Sequence, residues 1–171
     1  MKKSLAIFAM LFGFSFQANA IFIEPFIGYE TGDFTNGTTK GDLTGTTMGL
    51  RLGGGTLGLS YGVEYQKGTG ETEVGSATAD LDTTDIGAFV GFEFPILVRA
   101  FATYYFSHEA SPQSGSDYEG DGGIKLGVGY TGLPFVVINL EKMTRSYDKQ
   151  GSATVDIETD STILSVSIPL P

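Results

Sequence analysis

The stretch Gly122 to Arg145, GGIKLGVGYTGLPFVVINLEKMTR, decides the fold. Its first half alternates, with Ile124, Leu126, Val128 and Tyr130 on one face and Gly123, Lys125, Gly127 and Gly129 on the other. A side-chain period of two is that of an extended strand. Thr131-Gly132-Leu133-Pro134 then reads as a tight turn, and the return strand sets Val136, Ile138 and Leu140 against Asn139 and Glu141. Counting outward from that turn brings Lys125 nearly opposite Glu141, on the face that is otherwise glycine. A water-facing side would carry Lys, Glu and Thr, because glycine weakens a strand and packs nothing. A soluble ligand-carrying barrel would keep its bulky apolar residues inside. Here the apolar face is bulky and continuous, and the other is sized for a cramped interior. That combination points to a membrane-spanning strand pair, with lipid outside and a narrow polar lumen inside.

The whole chain is compatible with one such domain. It has 171 residues and no cysteine, which removes disulfides and thiolate metal sites. Lys plus Arg number 10 against 20 Asp plus Glu, a formal charge of −10, and phosphate backbones would repel it, so nucleic acid is excluded as a partner. A mean hydropathy of +0.07 is no obstacle, since a strand in lipid needs only alternate residues apolar. At the N-terminus, Lys2 and Lys3 precede an apolar run from Leu5 to Phe14, and Ala18-Asn19-Ala20 supplies a small-x-small cleavage pattern. Residues 1–20 therefore read as a signal peptide and 21–171 as the exported domain.

The arithmetic of the opening hairpin repeats along the chain. Ile23, Pro25, Ile27 and Tyr29 oppose Glu24, Phe26, Gly28 and Glu30, with a bulge or local break expected at Pro25. Met48, Leu50 and Leu52 oppose Thr47, Gly49 and Arg51; Leu57 to Tyr65 alternate with Gly58, Ser60, Gly62, Glu64 and Gln66. Ile86 to Phe94 alternate with Asp85, Gly87, Phe89, Gly91 and Glu93, and Val98 to Phe106 alternate with Arg99, Phe101, Thr103, Tyr105 and Ser107. A last strand sets Thr162, Leu164, Val166 and Ile168 against Ile163, Ser165 and Ser167. Each run is about nine to eleven residues, enough for a tilted strand to cross a bilayer. Gly53-Gly54-Gly55 reads as turn material, as does Pro95. Connections alternate long and short, which puts four polar runs at one end and three tight turns at the other. Aromatics near strand ends, among them Tyr29, Tyr65, Phe92, Phe94 and Phe106, suit interfacial belts. The predicted fold is all-β: an eight-stranded antiparallel up-and-down transmembrane β-barrel with short periplasmic turns and four long extracellular loops.

On the signal peptide, strand count and loop asymmetry, the mature chain resembles the small eight-stranded outer-membrane barrels, the group of the OmpA transmembrane domain, OmpX and OmpW. The resemblance implies a monomer in the outer membrane of a Gram-negative bacterium, in contact with outer-membrane lipid and lipopolysaccharide. One departure is the C-terminus, Ile168-Pro169-Leu170-Pro171, where such barrels usually end on an aromatic assembly signal.

A lumen this narrow is filled by side chains. The inward charges expected there are Glu24, Arg51, Glu64, Glu93, Arg99, Lys125 and Glu141, with Arg145 near the outer rim. Glu93 and Arg99 should meet across the Pro95 turn, and Glu24 and Arg51 lie near the same end of adjacent strands. Buried charges persist mainly when paired, so these read as a plug of ion pairs. Ser107, His108 and Glu109 are adjacent, but successive strand residues point to opposite faces, so no catalytic set is read and His108 is expected in an exposed loop. No catalytic residue, cofactor or metal site is assigned. The remaining acids, Glu30, Asp33, Asp42, Glu71, Glu73, Asp80, Asp82, Asp85, Glu109, Asp117, Glu119, Asp121, Asp148, Asp156, Glu158 and Asp160, lie in or beside the long connections and read as a solvated rim that leaves room for an extracellular ligand. The sequence thus describes a non-enzymatic barrel with a structural or surface role. The alternative is a narrow path for ions or small apolar solutes, as the OmpW resemblance implies, and the third reading is a lipid-modifying enzyme.

Overall fold

A computed structural model describes residues 20–113 and 115–170; the leader read from the sequence falls outside them except for Ala20. The strands are β1 (Ala20–Asn36), β2 (Thr39–Thr56), β3 (Leu59–Val74), β4 (Ala77–Phe94), β5 (Val98–Pro112), β6 (Tyr118–Gly120), β7 (Gly122–Leu133), β8 (Val136–Gln150) and β9 (Ala153–Ser167). Every pairing is antiparallel. β1 pairs with β2 on one side and with β9 on the other, so the sheet closes on itself. The short β6 and the longer β7 both lie between β5 and β8 and form one interrupted stave. The barrel therefore has the eight staves that the alternation demands.

The faces sort by chemistry in the reverse of a soluble protein. Arg51, Glu64, Lys125, Glu141 and Arg145 are buried, whereas Leu126, Val128, Leu140 and Leu164 are more than half exposed. Large exposed apolar surface and buried charge are each informative, and together they require an apolar surround. The apolar exterior ends at one boundary around the barrel: Tyr29, Met48, Tyr65, Ile86, Phe106, Ile124, Leu140 and Leu164. Beyond it the outward residues turn polar, as with Thr31, Thr46, Lys67, Thr84 and Lys142.

Most of the polar runs that read as loops continue as strand. β1 and β2 are joined only at Gly37-Thr38, β3 and β4 at Gly75-Ser76, and β8 and β9 at Gly151-Ser152. Period-two pairing persists there because cross-strand hydrogen bonds do not require an apolar face. Only the connection after Pro112 stays irregular before β6. The long connections are thus ribbons standing clear of the belt.

Local registers also differ from expectation. Gly53, Gly54 and Gly55 are strand, and the turn is Leu57-Gly58. A Cβ on Gly53 would lie 1.9 Å from the Tyr61 carbonyl oxygen, so close strand approach, rather than turning, demands that glycine. The opening hairpin turns at Pro134-Phe135 instead of Thr131–Pro134, because Pro134 supplies the φ of a turn corner while a register irregularity absorbs the residues between Tyr130 and Leu133. Lys125 therefore pairs with Met143, and Glu141 with Gly127. Pro25 makes no bulge against β2, where it faces Leu50 in unbroken register. The β9 ladder does end beside it, at Phe26 and Ser167, with the Ile168 N–H donating to the Pro25 carbonyl.

The short turns carry backbone strain. Leu57, Leu97 and Phe135 have φ of 49°, 62° and 65°, the left-handed region that favours glycine. A bulky residue there costs about 1–2 kcal/mol, and burying a Leu or Phe side chain returns about 1.5–3 kcal/mol. In water the first figure would stand without the second.

Candidate functional site: the charged lumen

The inward residues of neighbouring strands meet in layers. Nearest the short turns, Arg99 Nη1 donates to Glu24 Oε2 at 2.8 Å, and its Nη2 reaches Glu24, Asn139 Oδ1 (2.8 Å) and Ser167 Oγ (3.1 Å). Arg51 ties this layer to the next. Its Nη1 is 3.2 Å from Glu24, its Nε 2.7 Å from Glu64, and its Nη2 3.7 Å from Glu141. The guanidinium also lies over the Phe26 and Phe101 rings, 4.6 and 4.3 Å from their centroids. Lys125 pairs with Glu64 and, at 3.0 Å, with Glu141, and donates to Gln66 Oε1 at 2.8 Å. Thr103 and Tyr105 complete the donors to Glu64, and Ser165 donates to Glu141.

Three carboxylates thus face three cations in a neutral block, which is how charges persist away from water. Glycines on the same face make the room: a Cβ on Gly127 would sit 2.2 Å from Phe101 Cζ, and one on Gly129 2.9 Å from Arg99 Nε. Tyr105, Met143 and Ile163 pack without exposure above the block. Over them Arg145 pairs with Glu30 at 2.6 Å and Asp85 at 3.1 Å. Gln66 bridges the levels, accepting from Lys125 below and approaching Asp85 at 3.5 Å above.

Of the sequence-derived lumen set, Glu24, Arg51, Glu64, Arg99, Lys125 and Glu141 meet in one network, and Arg145 is buried in the layer above. Glu93 does not join. It pairs in register with Arg99 across the Pro95 turn, but its side chain is exposed at the rim and Arg99 turns inward to Glu24 and Asn139. Glu30 and Asp85, placed among the rim acids, are instead buried partners of Arg145.

His108 is not in an exposed loop. A register shift opposite Ile86 and Gly87 leaves Phe106 and Ser107 both exposed and returns His108 to the lumen. Its Nε2 lies 3.0 Å from the Ser146 carbonyl oxygen, and its ring meets Tyr147 edge-on at 5.4 Å. His108 stands past the apolar boundary, and burial holds its pKa below the ordinary value against the pull of Asp85. Ser107 and Glu109 face outward, so the three adjacent residues form no catalytic set. Among the described residues no three His, Cys, Asp or Glu side chains converge as metal ligands.

A cavity of about 430 Å³ opens at the short-turn end, lined by Phe22, Phe89, Leu59 and Val137, and is floored by Glu24, Arg51 and Arg99. It goes no deeper than those charges.

No protein-family model and no curated protein sequence matches the chain. Solved structures do. Neisserial surface protein A superposes with a TM-score of 0.57 at 14% identity, over 89% of this chain and 99% of that one. Ail, the attachment invasion locus protein of Yersinia pestis, solved with the heparin analogue sucrose octasulfate, superposes with a TM-score of 0.59 at 14% identity, over 88% of this chain and 99% of the other. At such identities the likeness is one of fold, and it agrees with the inverted faces and the closed ring: this chain is a transmembrane β-barrel with the fold of the small outer-membrane barrel proteins.

Proposed function

We propose that the protein is a non-enzymatic, non-conducting barrel of the outer membrane, of the OmpA, OmpX and OmpW kind, whose work is to hold acidic β-ribbons outside the cell. The observation that carries this reading is the set of buried ion pairs packed across the lumen. A solute entering from the short-turn end meets Glu24, Arg51 and Arg99 already paired with one another, and behind them side chains with almost no exposure. The rigid plug and the closed ladder make a stiff post, and the ribbons carry the acids: Asp33, Asp42, Glu71 and Glu73 on the first two, Asp148, Asp156 and Glu158 on the last.

The charge of those ribbons bears on the partner. Ail has been solved with a sulfated polyanion, but a surface dominated by carboxylates repels such a ligand, so the fitting partners here are cationic. Because the chain has no cysteine, one introduced thiol tests the display. A membrane-impermeant maleimide added to intact cells should label Ser152→Cys, at the tip of the last ribbon, and leave Gly58→Cys, at a short turn, unlabelled. Labelling of Gly58→Cys alone would overturn the orientation, and labelling of neither in a verified outer-membrane fraction would overturn surface display.

A further inference from the structure

The three short turns are each tipped with a strongly exposed apolar side chain: Leu57 at 96%, Phe135 at 85% and Ile96 at 72%. Glycine or asparagine would close each turn without strain and tolerate water, yet Leu57, Leu97 and Phe135 occupy the left-handed positions. The opposite end uses Gly37, Gly75 and Gly151 at positive φ. The apolar tips also continue the lipid-facing belt without a polar border. Leu59, Phe92, Phe94, Tyr130 and Leu133 lead directly to them, and Glu93 is the one exposed charge of that rim among the described residues.

Height gives a second, independent argument. A tilted strand rises roughly 2.5 Å per residue along the membrane normal, and the apolar band of such barrels is about 25 Å tall. From Tyr65 down to Leu59 the band would be only roughly 15 Å, and from Ile86 to Phe94 roughly 20 Å. Carried to Leu57 and Ile96, the same strands reach roughly 20 and 25 Å.

From these we infer that the short turns are not in water but seated in the phospholipid interface, so that Leu57, Ile96, Leu97 and Phe135 anchor the barrel among the acyl-chain ends of the glycerol region. The occupant of this rim is lipid: the surface is apolar, nearly uncharged and continuous with the face already in contact with acyl chains. This seating sets the barrel deep at one end and pushes the polar ribbons further out at the other. It depends only on the barrel spanning a bilayer, not on the proposed function.

The chain lacks tryptophan, so one introduced indole reports its own depth. Phe135→Trp, folded into phosphatidylcholine vesicles with the heat-shifted gel mobility of the wild type, should lose about two-fold or more of its emission to lipids brominated on the upper acyl chain, as interfacial aromatics lie at that level. It should also resist aqueous acrylamide. Ser152→Trp at the opposite end should show the reverse. If Phe135→Trp does not insert, Leu57→Trp and Ile96→Trp read the same rim. Quenching of these indoles by acrylamide and not by brominated lipid would overturn the inference and leave the rim as a surface for a soluble partner.

Discussion

At one end of the barrel, turns are closed by Gly37, Gly75 and Gly151; at the other, Leu57, Leu97 and Phe135 take the same sign of φ, with Gly58 beside Leu57. The backbone problem is the same, yet at the second end each turn sets a bulky apolar residue where glycine serves at the first. Glycine meets it without steric cost but contributes nothing to packing, while Leu and Phe accept strain that only an apolar surround can offset. The ion pairs show a contrast of their own, between lumen and water. Inside the barrel the charges of Glu24, Arg51, Glu64, Arg99, Lys125 and Glu141 form a neutral block of mutual ion pairs, whereas on the outer face beyond the belt Lys142 and Asp160 pair at 3.2 Å with both side chains more than half exposed. The same kinds of residue therefore carry very different energies according to whether they meet lumen, lipid or water.

Removing a charge inside the lumen should have the largest effect. Arg51→Met leaves Glu24, Glu64 and Glu141 short of one cation, and breaking a buried pair in this way costs about 3–5 kcal/mol. Urea titration of the barrel folded in lipid vesicles should show it; a loss below about 1 kcal/mol, typical of a surface pair, would mean water reaches the block. Next in size is an exchange of turn chemistry. Gly75→Leu places at the wet end the residue that Leu57 supplies at the other, and should destabilise by about 1–2 kcal/mol in the same titration. An unchanged barrel would erase the distinction between the ends.

The smallest effect is expected for Lys142→Met, which removes an exposed pair worth at most about 1 kcal/mol after screening. Asp160 sharpens that expectation through pH. Hydrogen bonds from Thr144 and then Lys142 hold its carboxyl below the ordinary value of 3.8. A depressed folded pKa contributes stability above the ordinary value, lost as pH falls through the lowered one. The accompanying acid-side slope should be slight, and further reduced in Lys142→Met.

Much of this was legible in the alternation. Glu24, Arg51, Glu64, Lys125 and Glu141 fall on the small face of clearly amphipathic runs, and a narrow barrel leaves them nowhere else to go. Glu30 and Asp85 also fall on inward positions by the same count, but each adjoins a Thr- and Gly-rich run, and polarity on both faces hid how far the strand continues. Carrying the period two residues past the apolar boundary is the signal that finds them. His108 was hidden differently. The irregularity at Phe106-Ser107 has no mark in residue type, and one extra residue flips everything after it to the other face. Glu93 failed for a reason of distance: so close to the Pro95 turn, the rim offers it water, and Arg99 has better partners within.

The central claim is that paired side chains close the lumen. Its most direct test is ion conductance of the folded barrel in planar bilayers. The account predicts no steady open state for the wild type. A stable ohmic conductance that Lys125→Met abolishes would contradict it, because the Lys125–Glu64–Glu141 cluster would then be part of a path instead of what blocks one.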